Sequence, residues 1–201
     1  MWLLNCWNYC LEEKDASQWR KAYWILSHTW SDDEVMFQDM QTPHLSDQRK
    51  GFRKIERMCD LAKTEGVSHV WIDTCCIDKT SSAELTESIN SMFDWYEGSK
   101  RCIVYLEDLP QEQNFRGNRK ELGSRLSHIT RTDHDLLDHR YSPQVNLPVV
   151  SVAKRMSWAA NRQTTRVEDK AYCLLGIFNV HMPLLYGERE RTFIRLQQTI
   201  A

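Results

Sequence analysis

Polar side chains able to act on a ligand fall in two stretches of this chain. The first lies where three short apolar runs end. Ser27-His28 with Trp30 closes the run 23–28, Asp73 follows 67–72 with Asp78 and Lys79 just beyond, and Glu107-Asp108 follows 102–106. A histidine among several carboxylates can move protons or hold a divalent cation. His28, Asp73 and Glu107 are therefore candidate catalytic residues, and Ser27, His28, Trp30, Asp73 and Asp78 are candidate binding residues. The plainer alternative is that Asp and Ser at a strand end cap the helix or turn that follows.

The second stretch holds Trp158, Asn161, Arg162, Thr164, Thr165, Arg166, Glu168 and Asp169. Two arginines beside two hydroxyl residues at a helix start can bind phosphate through guanidinium forks and free backbone N–H groups. Capping explains most of the same residues: Thr165 as N-cap and Glu168 at N3 form a capping box, with Arg166 paired to an acidic neighbour. Nucleophilic catalysis has less to stand on. There is no Gly-x-Ser-x-Gly elbow, and Cys75 or Cys76 would need His28 brought close by the fold. No glycine-rich phosphate loop occurs, which excludes the common nucleotide-binding folds.

The elements that must position these groups alternate. Residues 23–28 read as a buried strand, followed by a loop from 29 to 40. Phe52, Ile55, Met58, Cys59 and Ala62 recur at helical spacing, and Gly66 is a good residue to end that helix. Residues 67–72 predict a second strand. Ser81 as N-cap with Glu84 at N3 opens a further helix, whose inward face is marked by Leu85, Ile89, Met92, Phe93 and Tyr96 and which Gly98 ends. Residues 102–106 predict a third strand. Strand, helix, strand, helix, strand is the signature of a small parallel α/β sheet with crossover helices, and ligands of such sheets bind outside the carboxyl ends of the strands. Residues 109–150 are polar, with one modest helical stretch at 121–130. From 151 on, helix formers dominate, at 169–176 and 188–200.

Length and composition bound the rest. At 201 residues, 41% hydrophobic and 27% charged, the chain is long enough for one domain with a continuous core. A formal net charge of -2 gives no field to attract a polyanion, so nucleic acid is not an expected partner. No apolar run reaches bilayer length, and the first residues lack the basic and apolar regions of a secretory signal, which points to the cytoplasm. Seven cysteines show no C-x-x-C pair; buried free thiols are expected rather than a metal site. The eight tryptophans fall mostly within predicted elements and are expected in the core.

Several blocks are more specific than their physics. Met1-Trp2-Leu3-Leu4-Asn5 opens the chain, and Tyr23-Trp24-Ile25-Leu26-Ser27-His28-Thr29-Trp30 is followed by Glu34-Val35 and Phe37-Gln38-Asp39-Met40. Val70-Trp71-Ile72-Asp73-Thr74-Cys75-Cys76-Ile77-Asp78-Lys79 forms a second block. Ser157-Trp158-Ala159-Ala160-Asn161-Arg162, running through Arg166-Val167-Glu168-Asp169-Lys170-Ala171-Tyr172 to Leu184-Leu185-Tyr186-Gly187-Glu188, forms a third. In order and spacing these resemble the fungal heterokaryon-incompatibility (HET) domain over nearly the whole chain. The resemblance implies a single domain over 1–201, with its α/β core at 23–108, and cytosolic signalling in fungal nonself recognition that ends in programmed cell death. It implies self-association or contact with another signalling protein. HET domains have been likened to Toll/interleukin-1-receptor (TIR) domains, some of which hydrolyse NAD, so NAD is a candidate substrate; a shared fold does not establish a shared reaction.

Two departures from the family pattern stand out. HET domains usually carry Arg-Gly-Trp-Thr-Leu-Gln-Glu-Leu and another strand after the third strand. Here residues 109–115 run almost straight into Arg116-Gly117-Asn118-Arg119, and that block is missing. In the TIR comparison it carries the catalytic glutamate, so a degenerate, inactive copy is a third reading. Losing a strand leaves a sheet edge uncovered. The second departure is Ser31, where the family usually has Gly; at a positive φ this would cost about 1 kcal/mol.

Overall fold

A computed structural model of the chain describes residues 1–42, 46–105 and 147–201. The chain divides into two compact units, Met1–Leu109 and Pro110–Ala201.

The first unit is built on five strands: β1 (Trp2–Asn5), β2 (Leu11–Glu13), β3 (Tyr23–His28), β4 (His69–Ile72) and β5 (Arg101–Tyr105). Their order across the sheet is β2-β1-β4-β3-β5. The three expected strands form and are parallel, β3 pairing with β4 on one side and β5 on the other. The sheet as a whole is mixed, which corrects the expectation of a purely parallel one. β1 and β2 form an antiparallel hairpin, and β1 runs antiparallel to β4. Leu3 and Leu4 are both fully buried, so β1 lacks the alternation that marks a one-sided strand. Among the described residues β5 is an edge strand, and Val104 on it is 64% exposed.

Helix α1 (Ala16–Trp19) precedes β3, and α2 (Phe37–Gln41) shortens the expected loop after it. α3 (Phe52–Thr64) connects β3 to β4 and buries Ile55, Met58, Cys59 and Ala62, one apolar stripe at helical spacing. Its end is a Schellman motif. Gly66 lies at φ +70, its N–H donates to Lys63 O at 3.0 Å, and Val67 N–H donates to Ala62 O at 2.9 Å.

α4 (Ser82–Gly98) connects β4 to β5. Ser81 Oγ accepts the Glu84 N–H at 3.3 Å, as a cap should, but the Glu84 carboxylate turns back to the Asp78 N–H at 2.9 Å rather than to Ser81. Ser88 and Trp95 are the buried side chains of this helix, while Ile89 and Phe93 are only half-buried. Trp95 meets Trp71 edge-on, with ring centroids 5.6 Å apart. Trp24 and Trp71 are almost fully enclosed in the core, each side chain contributing on the order of 2–3 kcal/mol by burial.

The described part of the second unit is helical: α5 (Val152–Ser157), α6 (Asp169–Tyr172), α7 (Leu175–Phe178) and α8 (Arg191–Ile200). The expected helix over 169–176 is broken in two at Cys173-Leu174, and α7 ends on Asn179 in the left-handed conformation (φ 54). Of the cysteines, Cys6, Cys59, Cys75 and Cys76 are buried free thiols, whereas Cys10, Cys102 and Cys173 are exposed. No described helix is long and apolar enough to cross a membrane.

Candidate functional site

β3 and β4 are parallel neighbours, so their carboxyl ends lie side by side. The residues just past those ends meet there. His28 Nε2 donates to Asp73 Oδ1 at 2.8 Å, and Trp30 Nε1 donates to Asp73 Oδ2 at 2.8 Å. Asp73 is thus the hub: one oxygen fixes the imidazole and the other fixes an indole that is half exposed. The His28 side chain is 1% exposed, and its Nδ1 is buried without a partner. A carboxylate can only accept, so Nε2 is the donor of this bond.

Lys79 closes the group from beyond β4. Its ammonium donates to the carbonyls of Asp73 (2.6 Å) and Thr74 (2.9 Å) and lies 4.7 Å from the centre of the Trp30 ring. Burial pulls its pKa below the usual lysine value, and the Asp73 carboxylate offsets only part of that. Ser27 is half-buried near the end of β3, and burial pushes the pKa of the Tyr96 phenol of α4 up to about 12. Asp78 does not join this group. Its carboxylate accepts from the Thr80 N–H and hydroxyl and from Gln38 Nε2 at 2.7 Å. Glu107 lies outside the described residues.

The loop carrying Trp30 is held from below by a buried ion pair that no periodicity in the sequence signals. Glu34 Oε1 accepts from Lys54 Nζ of α3, from the Ser31 N–H at 2.7 Å and from the Ser31 hydroxyl at 2.9 Å. Burial raises the Glu34 pKa, but Lys54 and Ser31 together more than reverse this and leave it lowered. Gly51 supplies the space: a Cβ there would stand 2.9 Å from Glu34 Oε2.

The second candidate stretch is arranged differently. The expected capping box of Thr165 and Glu168 does not form. Glu168 itself stands at the N-cap of α6 without a side-chain cap bond. Its carboxylate instead accepts the N–H groups of Gly187 (2.8 Å) and Arg189 (3.0 Å), nineteen and twenty-one residues away, and backbone N–H bonds hold its pKa below the ordinary range. Tyr172 Oη accepts the Leu185 N–H at 2.7 Å, and Arg195 donates to Pro183 O at 2.8 Å. The Arg166 guanidinium lies 4.5 Å from the centre of the Tyr186 ring, and Tyr186 donates to Asp169 at 3.0 Å. These side chains clamp the loop 183–190. Trp158 is half-buried with its indole N–H unpartnered, while Asn161 and Arg162 are exposed and away from this clamp's hydrogen bonds.

Comparison with known proteins decides the kinship. The profile described as heterokaryon incompatibility protein (HET) matches residues 23–172, three quarters of the chain. The chain belongs to the HET family. The HET chain is also 35% identical over 240 residues to the vegetative incompatibility protein HET-E-1 of Podospora anserina, covering 94% of itself and 18% of that protein. Since 94% of 201 residues is roughly 190, about 50 of the 240 aligned positions have no counterpart here. No solved structure matches.

The family blocks thus divide by role. Those at 23–40 and 70–79 supply the His28–Asp73–Trp30 group and its support, and the block at 157–188 supplies the loop clamp. Ser31 in the HET chain carries no left-handed strain, because it is not among the positive-φ residues and its N–H and hydroxyl both reach Glu34. Glu34, Lys54, Gly51, Tyr172 and Arg195 are the residues sequence reasoning missed. Glu34 was visible only as part of a family block.

Proposed function

We propose that this chain acts as the signalling domain of an incompatibility response, triggering death of the cell in which it is activated. The observation that carries this reading is the family match, which runs from 23 to 172 and so passes through both compact units. It supports treating the two units as one functional HET domain. The named relative is a vegetative incompatibility protein, and the chain spans 18% of its length. Inducible expression in a filamentous fungal host tests the reading. Death of the expressing compartments is expected; survival with soluble, folded protein accumulating would mean an inactive copy.

A second reading, hydrolysis of NAD, draws on one arrangement. His28 and Asp73 lie at the carboxyl ends of adjacent parallel strands, where open α/β sheets take their ligands. The sheet order supports it: the chain leaves β3 to one side for β4 and returns past it to β5, which opens a crevice at β3. On this reading Trp30 offers a flat face to a base, and Asp73 fixes both the ring and the imidazole. Nicotinamide release by purified protein, lost in Asp73→Asn, is the result expected. Absence of release from a protein that melts cooperatively removes this reading and leaves the signalling role to be carried by association.

A further inference from the structure

A groove of about 690 Å³ crosses the second unit between α5, the turn after it, and α8. Its size falls in the range of small-molecule sites, about 300–1,000 Å³. Leu174 is buried beneath it, and Met156 and Phe193 form its half-buried walls. Val167 and Ile194 stand at its edge, 46% and 53% exposed, two large apolar side chains left in water beside one another's groove.

Charge is placed with equal bias. Residues 147–201 hold eight Lys and Arg against four Asp and Glu, although the whole chain is at -2. Three neighbouring arginines are engaged: Arg155 donates to Ile177 O, Arg166 covers Tyr186, and Arg195 pairs with Glu188. Arg162 and Lys170, which line the groove, have no side-chain partner among the described residues. Glu190 also lines it, which leaves one net positive charge.

We propose that this groove binds an apolar-chain carboxylate, an amphiphile of the fatty-acid class. The chain would cover Val167 and Ile194 and fill the floor over Leu174. Its head group would meet the Arg162 fork, which matches a carboxylate with two parallel N–H···O bonds, with Lys170 as a second cation. Glu190 disfavours a doubly charged head such as a phosphate monoester, so a single negative charge fits best. The groove is lined by residues of the second unit alone, none of them in the His28–Asp73 group, and the proposal does not depend on the functional reading above.

The test is fluorescence titration of the purified chain with 11-(dansylamino)undecanoic acid, followed by displacement with palmitate, hexadecanol and hexadecyltrimethylammonium. Saturable binding is expected, with palmitate displacing at least about tenfold better than the alcohol or the cation. Arg162→Glu and Lys170→Glu should each weaken binding about tenfold. Ile194→Glu, at a position already over half exposed, should abolish it while leaving the melting transition in place. No saturable binding overturns the proposal. So does equal displacement by hexadecanol, or affinity unchanged in all three variants.

Discussion

Two polar constellations of this chain look alike in sequence and behave oppositely in the fold. Around Asp73, side chains bond one another at the open end of a sheet: an imidazole and an indole share one carboxylate, and a lysine lies against the exposed ring. Around Glu168, side chains bond backbone: Gly187, Arg189, Leu185 and Pro183 all give their main-chain groups to Glu168, Tyr172 or Arg195. A side chain whose hydrogen bonds end on distant backbone fixes the course of the chain. One whose bonds end on other side chains, with an aromatic face left to solvent, keeps a surface that a ligand can use. The difference lies in partners, and residue type alone does not reveal it.

This contrast can be sharpened by substitution. The largest effect on stability belongs beneath the Asp73 group. Lys54→Met strands Glu34 in the interior, and urea unfolding should register a loss of about 3–5 kcal/mol. Tyr172→Phe removes the acceptor for the Leu185 N–H, at a cost of about 1–2 kcal/mol. Hydrogen exchange should quicken at Leu185 and stay unchanged in β3 and β4; an unchanged rate at Leu185 would break the clamp account. Asp73→Asn should cost less than about 1 kcal/mol, because the amide oxygen still accepts one of the two donors at a partly exposed site.

The smallest effect at neutral pH belongs to the phenols. Tyr23 and Tyr96 are both raised to about 12 by burial, from an ordinary value of 10.0. Their folded-state pKa values lie above the unfolded one, so their contribution is intact below pH 10 and is lost as pH rises to about 12. Alkaline unfolding followed by circular dichroism should fall across that window, and Tyr96→Phe should shrink the fall without altering stability at pH 7.

Local pattern carried much of this architecture. The stripe from Ile55 to Ala62 with Gly66 after it, and Ser81 ahead of α4, are signals within a few residues of their effect, and the structure follows them. The meeting of His28 with Asp73 also followed, because parallel neighbours bring their carboxyl ends together. The hairpin at the start was not legible. Leu3 and Leu4 face opposite ways and are both buried, so Trp2-Leu3-Leu4 reads as a plain apolar run. The Glu168 capping box failed for a related reason. A local motif predicts a local partner, whereas the backbone amides Glu168 takes come from beyond Tyr186. Glu34 and Lys54, twenty residues apart, were likewise invisible as a pair.

The measurement that bears most directly on this account compares cell death caused by the wild-type chain with that caused by Asp73→Asn and by Glu168→Gln in the same fungal host, each scored beside its melting temperature. Asp73→Asn is expected to abolish killing with a near wild-type melt, and Glu168→Gln to reduce killing only as far as it lowers the melt. Full killing by a folded Asp73→Asn protein would contradict the account.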